Sequence, residues 1–142
     1  MESIDPDKIS PMRVQGAGVS PTRTDISIRG IRVVIDEPPE TLLAALVGCT
    51  NRICHKIAAA RDIEIQDMSI DLDAAFDRRG VNLETEIDVP FREIRMTIEL
   101  TTDADDVEVR ALKADLTRFC PISKMLRQAG TRVEEVWTIN AP

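Results

Sequence analysis

Tyrosine is absent from this chain, and its other aromatics are three phenylalanines and one tryptophan. So sparse a set supplies no platform on which successive bases could stack. Positive charge is also short: 18 Lys and Arg against 25 Asp and Glu give a formal net charge of −7. That balance favours solubility and argues against non-specific binding to nucleic acid or to an anionic membrane. No apolar run approaches the ~20 residues of a membrane-spanning helix. The opening MESIDPDKIS has neither a basic start nor an apolar stretch, so it does not read as a secretory signal. Histidine occurs once, at His55, and no cysteines are spaced Cys-x-x-Cys. A zinc site built from Cys49, Cys54, His55 and Cys120 therefore fails on spacing, and no metal or other cofactor is expected. These absences leave a cytoplasmic protein as the expectation, with its three cysteines mostly reduced and their odd number no anomaly.

What is present suffices for one domain. The chain has 142 residues, 43% of them hydrophobic, enough for a core without a disulfide or metal staple. Residues 1–22 carry Pro6, Pro11 and Pro21 with little periodicity and read as an N-terminal arm or edge segment, leaving 23–142 as the domain. Asp25–Ile35 alternates in part around Arg29-Gly30 and predicts a strand or a bent hairpin, ended by Pro38-Pro39. From Glu40 to Arg61 the period becomes helical, with Leu42, Leu46, Cys49, Ile53 and Ile57 on one face and Leu43, Val47, Thr50, Cys54 and Ala58 on the next. The stretch TLLAALVGC has no charge, so protein is expected around it.

Ile63–Phe76 and Phe91–Leu100 alternate as strands, joined through a turn at Asp77–Gly80 and a strand or loop over Val81–Val89. Asp103–Phe119 and Pro121–Gln128 predict a helix pair, acid-rich at its start and stopped at Gly130. Val133, Val136 and Ile139 suggest a last strand. The order is that of an α+β domain with a buried helix on an antiparallel or mixed sheet, and short turns favour antiparallel strands.

Two of the three cysteines invite a chemical reading. Cys49 lies mid-helix on the apolar stripe, where a thiol is either a small core residue or, given a neighbouring positive charge, a nucleophile. Cys120 precedes Pro121, a residue suited to the first turn of a helix. Its thiol either closes a helix junction or faces the positive end of a helix dipole, which lowers a thiol pKa. Cys54, five residues beyond Cys49, points away from it around the helix and reads as structural. A solvent-facing position is expected for His55.

The run PETLLAALVGCTNRICHKIA (Pro39–Ala58) resembles the central helix of the OsmC/Ohr superfamily, with its proline, Leu-Leu, Ala-Ala and closing cysteine. RFCPISKML (Arg118–Leu126) resembles that family's second cysteine motif, and IDLDAAFDRRG, FREIRMTIEL and IRGIRVVIDEP resemble its strands. Together these cover roughly Ile26 to Ile139 in the family's order. The resemblance implies an OsmC/Ohr-like fold in which long central helices pack on antiparallel sheets within an intertwined homodimer, with the site at the interface.

It further implies that Cys49 matches a peroxidatic and Cys120 a resolving cysteine. The implied activity is thiol-dependent reduction of organic hydroperoxides or hydrogen peroxide, reset by a small or protein thiol. Family peroxidases hold the thiolate with an arginine from the N-terminal strand region; the candidates here are Arg23, Arg29 and Arg32, no motif chooses among them, and each by itself reads first as a solvated strand charge. A glutamate early in the central helix orients that arginine. Glu40 is the position the resemblance offers for it, one residue closer to its cysteine than in the Ohr branch, and on its residues alone it reads first as a first-turn acid favoured by the helix dipole. Pro38-Pro39 runs straight into the helix without the glycine-rich segment of many relatives. The alternative function is a redox-silent OsmC-like dimer that binds a small apolar ligand at the interface.

Overall fold

A computed structural model describes residues 3–142, so the first two residues of the arm lie outside it. The chain divides into two compact units, residues 1–41 and 42–142.

The N-terminal unit carries a short 3-10 turn at Pro6–Lys8 and three strands, β1 (Gln15–Gly18), β2 (Thr24–Ile28) and β3 (Ile31–Ile35). They form one antiparallel sheet in the order β1-β2-β3. The expected break at Arg29-Gly30 is a two-residue hairpin turn between the paired Ile28 and Ile31. Both turn residues have positive φ, 49° and 80°. Such turns match the twist of the flanking strands, and glycine takes that conformation without strain.

Helix α1 (Pro38–Ala60) begins in this unit and continues through the next. It starts two residues earlier than its apolar period suggests. The first-turn N–H groups of a helix have no internal acceptor, so Pro38 and Pro39 open the helix as well as follow the strand. The Thr41 N–H and hydroxyl both donate to the Glu37 carbonyl.

The larger unit holds β4 (Asp67–Phe76), β5 (Phe91–Thr101), α2 (Asp106–Phe119), α3 (Pro121–Gln128) and β6 (Arg132–Asn140). Strand β5 is central, antiparallel to β4 and parallel to β6. The sheet is therefore mixed, where short turns had favoured antiparallel strands throughout. The reason is the helix pair: α2 and α3 carry the chain from the end of β5 back to its start, where Arg132 pairs with Glu93. Only a long crossover permits a parallel neighbour. Val81–Val89 is a turn-rich loop, closed where the Asp77 N–H donates to the Pro90 carbonyl.

The core lies between the helices and one face of this sheet. Ile94, Met96, Ile98 and Leu100 of β5 are fully or almost fully buried, as are Leu112 and Leu116 of α2 and Leu46 of α1. Strict alternation along β5 leaves the opposite face to Glu93, Arg95, Thr97 and Glu99. Within this unit the buried stripe of α1 is Leu46, Thr50, Cys54, Ile57 and Ala58. Its centre therefore falls between the two faces read from the sequence. Leu42 is exposed and Cys49 lies at the rim of the core. A polar tie supports the choice: the buried Thr50 hydroxyl donates to the Leu46 carbonyl and reaches the Met96 sulfur at 3.6 Å.

Candidate functional site

The middle of α1 and the α2–α3 juncture bring the cysteines together. Cys49 projects from the middle of α1 and is half-buried, while Cys120 is fully buried. Cys120 ends α2 and begins α3 at once, with extended backbone dihedrals between the two helices. Its N–H donates to the Leu116 carbonyl behind it, and its carbonyl accepts from the Lys124 N–H ahead. Pro121 turns the chain at this point because it opens a helix without needing a donor. The result is a sulfur–sulfur distance of 3.3 Å across 71 residues of sequence. Both thiols are free. The Cys120 thiol donates toward the Cys49 sulfur, and a disulfide would need the two sulfurs to close to about 2.05 Å.

The electrostatics of Cys120 differ from the sequence reading. The Ser123 and Ile122 N–H groups at the start of α3 do pull its pKa down. Burial pushes harder in the other direction, with the adjacent Cys49 adding to it, and the thiol is held up at about 11. A helix terminus acts on an exposed group by only ~0.3–1 kcal/mol, whereas desolvation of a buried thiol is the larger effect here. Cys54 is deeper still. Burial first, then the nearby Glu135 and Cys120 charges, push it up to about 12, so it remains a protonated core residue. His55 is exposed, and its Nδ1 lies 2.8 Å from the Asn51 carbonyl.

A family model described as OsmC-like protein matches residues 37–136. The chain belongs to the OsmC family. Solved structures repeat the fold. An OsmC-like protein from Mycoplasma pneumoniae is similar at 13% identity and a TM-score of 0.78, over 92% of this chain and 98% of that one. A hypothetical protein from Aquifex aeolicus is similar at 14% identity and the same TM-score, over 94% and 99%. The organic hydroperoxide resistance protein OhrB of Bacillus subtilis reaches 21% identity and a TM-score of 0.59, over 91% and 98%. No curated protein matches the chain in sequence.

The stretch matched by the OsmC model contains Cys49, Cys120 and Glu40 but none of the three candidate arginines. Glu40 is exposed in the first turn of α1, and no hydrogen bond or ion pair engages it among the described residues. In the N-terminal unit Arg23 and Arg32 both bind Asp25, whose carboxyl they hold below its usual range. Arg29 sits at the exposed hairpin tip.

Behind the cysteine pair lies a set of polar residues that sequence reasoning missed. The Arg127 Nε donates to the buried Ser123 hydroxyl at 3.2 Å, and its Nη2 pairs with Glu135 at 3.5 Å. The Trp137 indole N–H donates to the other Glu135 oxygen at 3.2 Å. The signal was the two-residue period of β6. Val133, Glu135, Trp137 and Ile139 pair across to Ile94, Met96, Ile98 and Leu100, the core face of β5. Grouping Val133 with Val136 had hidden that parity, and with it a carboxylate on the inner face of the sheet.

Proposed function

We propose that this OsmC family member is a thiol-dependent peroxidase that reduces hydroperoxides through Cys49 and Cys120, as part of defence against oxidative stress. The observation that carries the reading is the 3.3 Å approach of two free thiols, the half-buried one on α1 and the fully buried one at the α2–α3 juncture. The Cys49 thiolate attacks the outer peroxide oxygen; an S–O bond forms, the O–O bond breaks, and the leaving alkoxide takes a proton as alcohol or water. Cys49 is then a sulfenic acid. The Cys120 sulfur displaces its hydroxyl, which leaves as water with the Cys120 proton, and a disulfide remains. Two equivalents of a small or protein thiol reduce that disulfide by exchange. No metal or organic cofactor takes part. Names of similar structures, such as organic hydroperoxide resistance protein, agree with the substrate class.

The reading includes a homodimer in the cytoplasm; no helix among the described residues is long and apolar enough to cross a membrane. Glu40 keeps in it the cation-orienting role that the family resemblance implies. A second reading, a redox-silent dimer binding a small apolar ligand, draws support from the engagement of Arg23 and Arg32 by Asp25. A coupled assay separates the two: thiol consumption is followed with hydrogen peroxide, an alkyl hydroperoxide and an aryl hydroperoxide. Turnover with at least one, abolished by alkylating the protein beforehand, is expected. No peroxide-dependent thiol consumption with any of them would leave the ligand-binding reading.

A further inference from the structure

A charged pair linked through Ser123 to the turn that carries Cys120 lies on the core side of a sheet where its neighbours are apolar. Glu135 shares the inner face of β6 with Val133 and Trp137 and lies opposite the fully buried Met96. Only 11% of its side chain is exposed. A carboxylate in that place costs desolvation unless it is paired and hydrogen-bonded. Here both oxygens are used, one by Trp137 and one by Arg127. Arg127 in turn reaches one turn back along α3 to the Ser123 hydroxyl, itself buried. Ser123 also supplies the backbone N–H that faces the Cys120 sulfur. The chain of contacts thus runs from β6 through Glu135, Arg127 and Ser123 to the turn that carries Cys120.

Helix α3 has only eight residues, and its first cap makes no side-chain hydrogen bond. So short a helix has little rigidity of its own. Its orientation must come from tertiary contacts: Ile122 and Leu126 pack against the core, and among the described residues the Arg127–Glu135 pair is the polar contact that ties it to β6.

We infer that Arg127 and Glu135 are positioning residues for Cys120, holding the start of α3 so that the resolving sulfur stays within reach of Cys49. The inference rests on the peroxidase reading above. The step it governs is disulfide closure: the Cys120 sulfur forms the S–S bond, the S–O bond of the Cys49 sulfenic acid breaks, and water leaves with the Cys120 proton. Arg127 acts on this step through Ser123 and the backbone of α3. Misplacing a reacting group by about 1 Å can cost up to ~100-fold in rate.

The test separates the two chemical steps in single-turnover experiments. Formation of the sulfenic acid is followed by peroxide consumption, and its lifetime by trapping with a dimedone-type probe. In Arg127→Gln and Glu135→Gln the sulfenic acid should form as fast as in the parent. It should then persist roughly tenfold longer or more, with more sulfinic acid at excess peroxide. Arg127→Lys keeps a cation opposite Glu135 but lacks the fork to Ser123. It should be folded and slowed at closure alone, by less than Arg127→Gln, which guards against a variant that merely unfolds. Unchanged sulfenic acid lifetimes in folded Arg127→Lys and Glu135→Gln would overturn the positioning role while leaving the peroxidase reading intact. A parent protein that forms no sulfenic acid would sink that reading itself, and this inference with it.

Discussion

At the scale of single residues, the proposed peroxidase chemistry turns on which thiol attacks first. Local sequence favours Cys120, because a helix start lowers a thiol pKa. The folded chain reverses that preference by burying the sulfur, which keeps its proton and donates it toward Cys49. Cys49 is the acceptor of that contact and the more exposed partner, so a peroxide meets its sulfur first. Cys49→Ser should therefore abolish peroxide reduction, whereas Cys120→Ser should permit one oxidation and leave a sulfenic acid on Cys49 that a dimedone-type probe traps. Cys120→Ser blocking the first oxidation, with a trappable acid on Cys120 in Cys49→Ser, would reverse the roles. Cys54 gives a second expectation at this scale. Its folded pKa of about 12 lies above the ordinary thiol value of 9.0, so the unfolded chain loses that proton first. The stability contributed by the protonated thiol is complete below about pH 9 and is lost as pH rises toward 12. Cys120 works in the same sense, up to about 11. Denaturant midpoints measured across the alkaline range should fall more steeply in the parent than in Cys54→Ala; parallel slopes would contradict the burial argument.

At the scale of elements, the sequence was most legible where one physical signal acts alone. The alternation of Ile94, Met96, Ile98 and Leu100 defines β5 and its inner face. Acids at the head of α2 mark its start, and there Asp105 and Glu108 close a reciprocal capping box. Legibility fell where two signals compete. The Pro38-Pro39 pair both follows a strand and opens a helix, so the boundary shifted. The apolar stretch at the head of α1 is hydrophobic all round, so its period could not say which side is buried, and Cys49 moved from the centre of a face to its rim. β1 contains two glycines in four residues and carries no alternation to read. The parallel course of β6 depends on a crossover of two helices, a long-range property that no local pattern encodes. The approach of Cys49 to Cys120 was expected only through the family resemblance, because a contact across 71 residues leaves no local pattern. The Arg127–Glu135 contact was not, because it joins a helix face to a strand parity that three valine and isoleucine positions had misassigned.

At the scale of the molecule, the single chain leaves apolar surface uncovered that its sequence invests in. The chargeless stretch from Thr41 to Cys49 buries Leu46, while Leu42, Ala44, Ala45 and Gly48 are exposed. Phe119 and Met125, flanking the buried Cys120, are each more than half exposed. A charge-free helix half is normally enclosed by protein, and a second copy of the chain is the cover expected here. An obligate homodimer should bury more than ~2,000 Å² in total, and sedimentation should find no stable monomer at micromolar concentration. Gly48 sharpens the test. In the lone chain a Cβ added there meets nothing within 4 Å, so Gly48→Ala in a monomer should stabilise the helix by about 0.5–1 kcal/mol. Where a partner packs closely on this stripe, the same methyl group obstructs the approach, and the variant should dissociate at a higher protein concentration than the parent. A Gly48→Ala protein that is simply more stable, with sedimentation unchanged from a monomeric parent, would mean that this face of α1 meets only water.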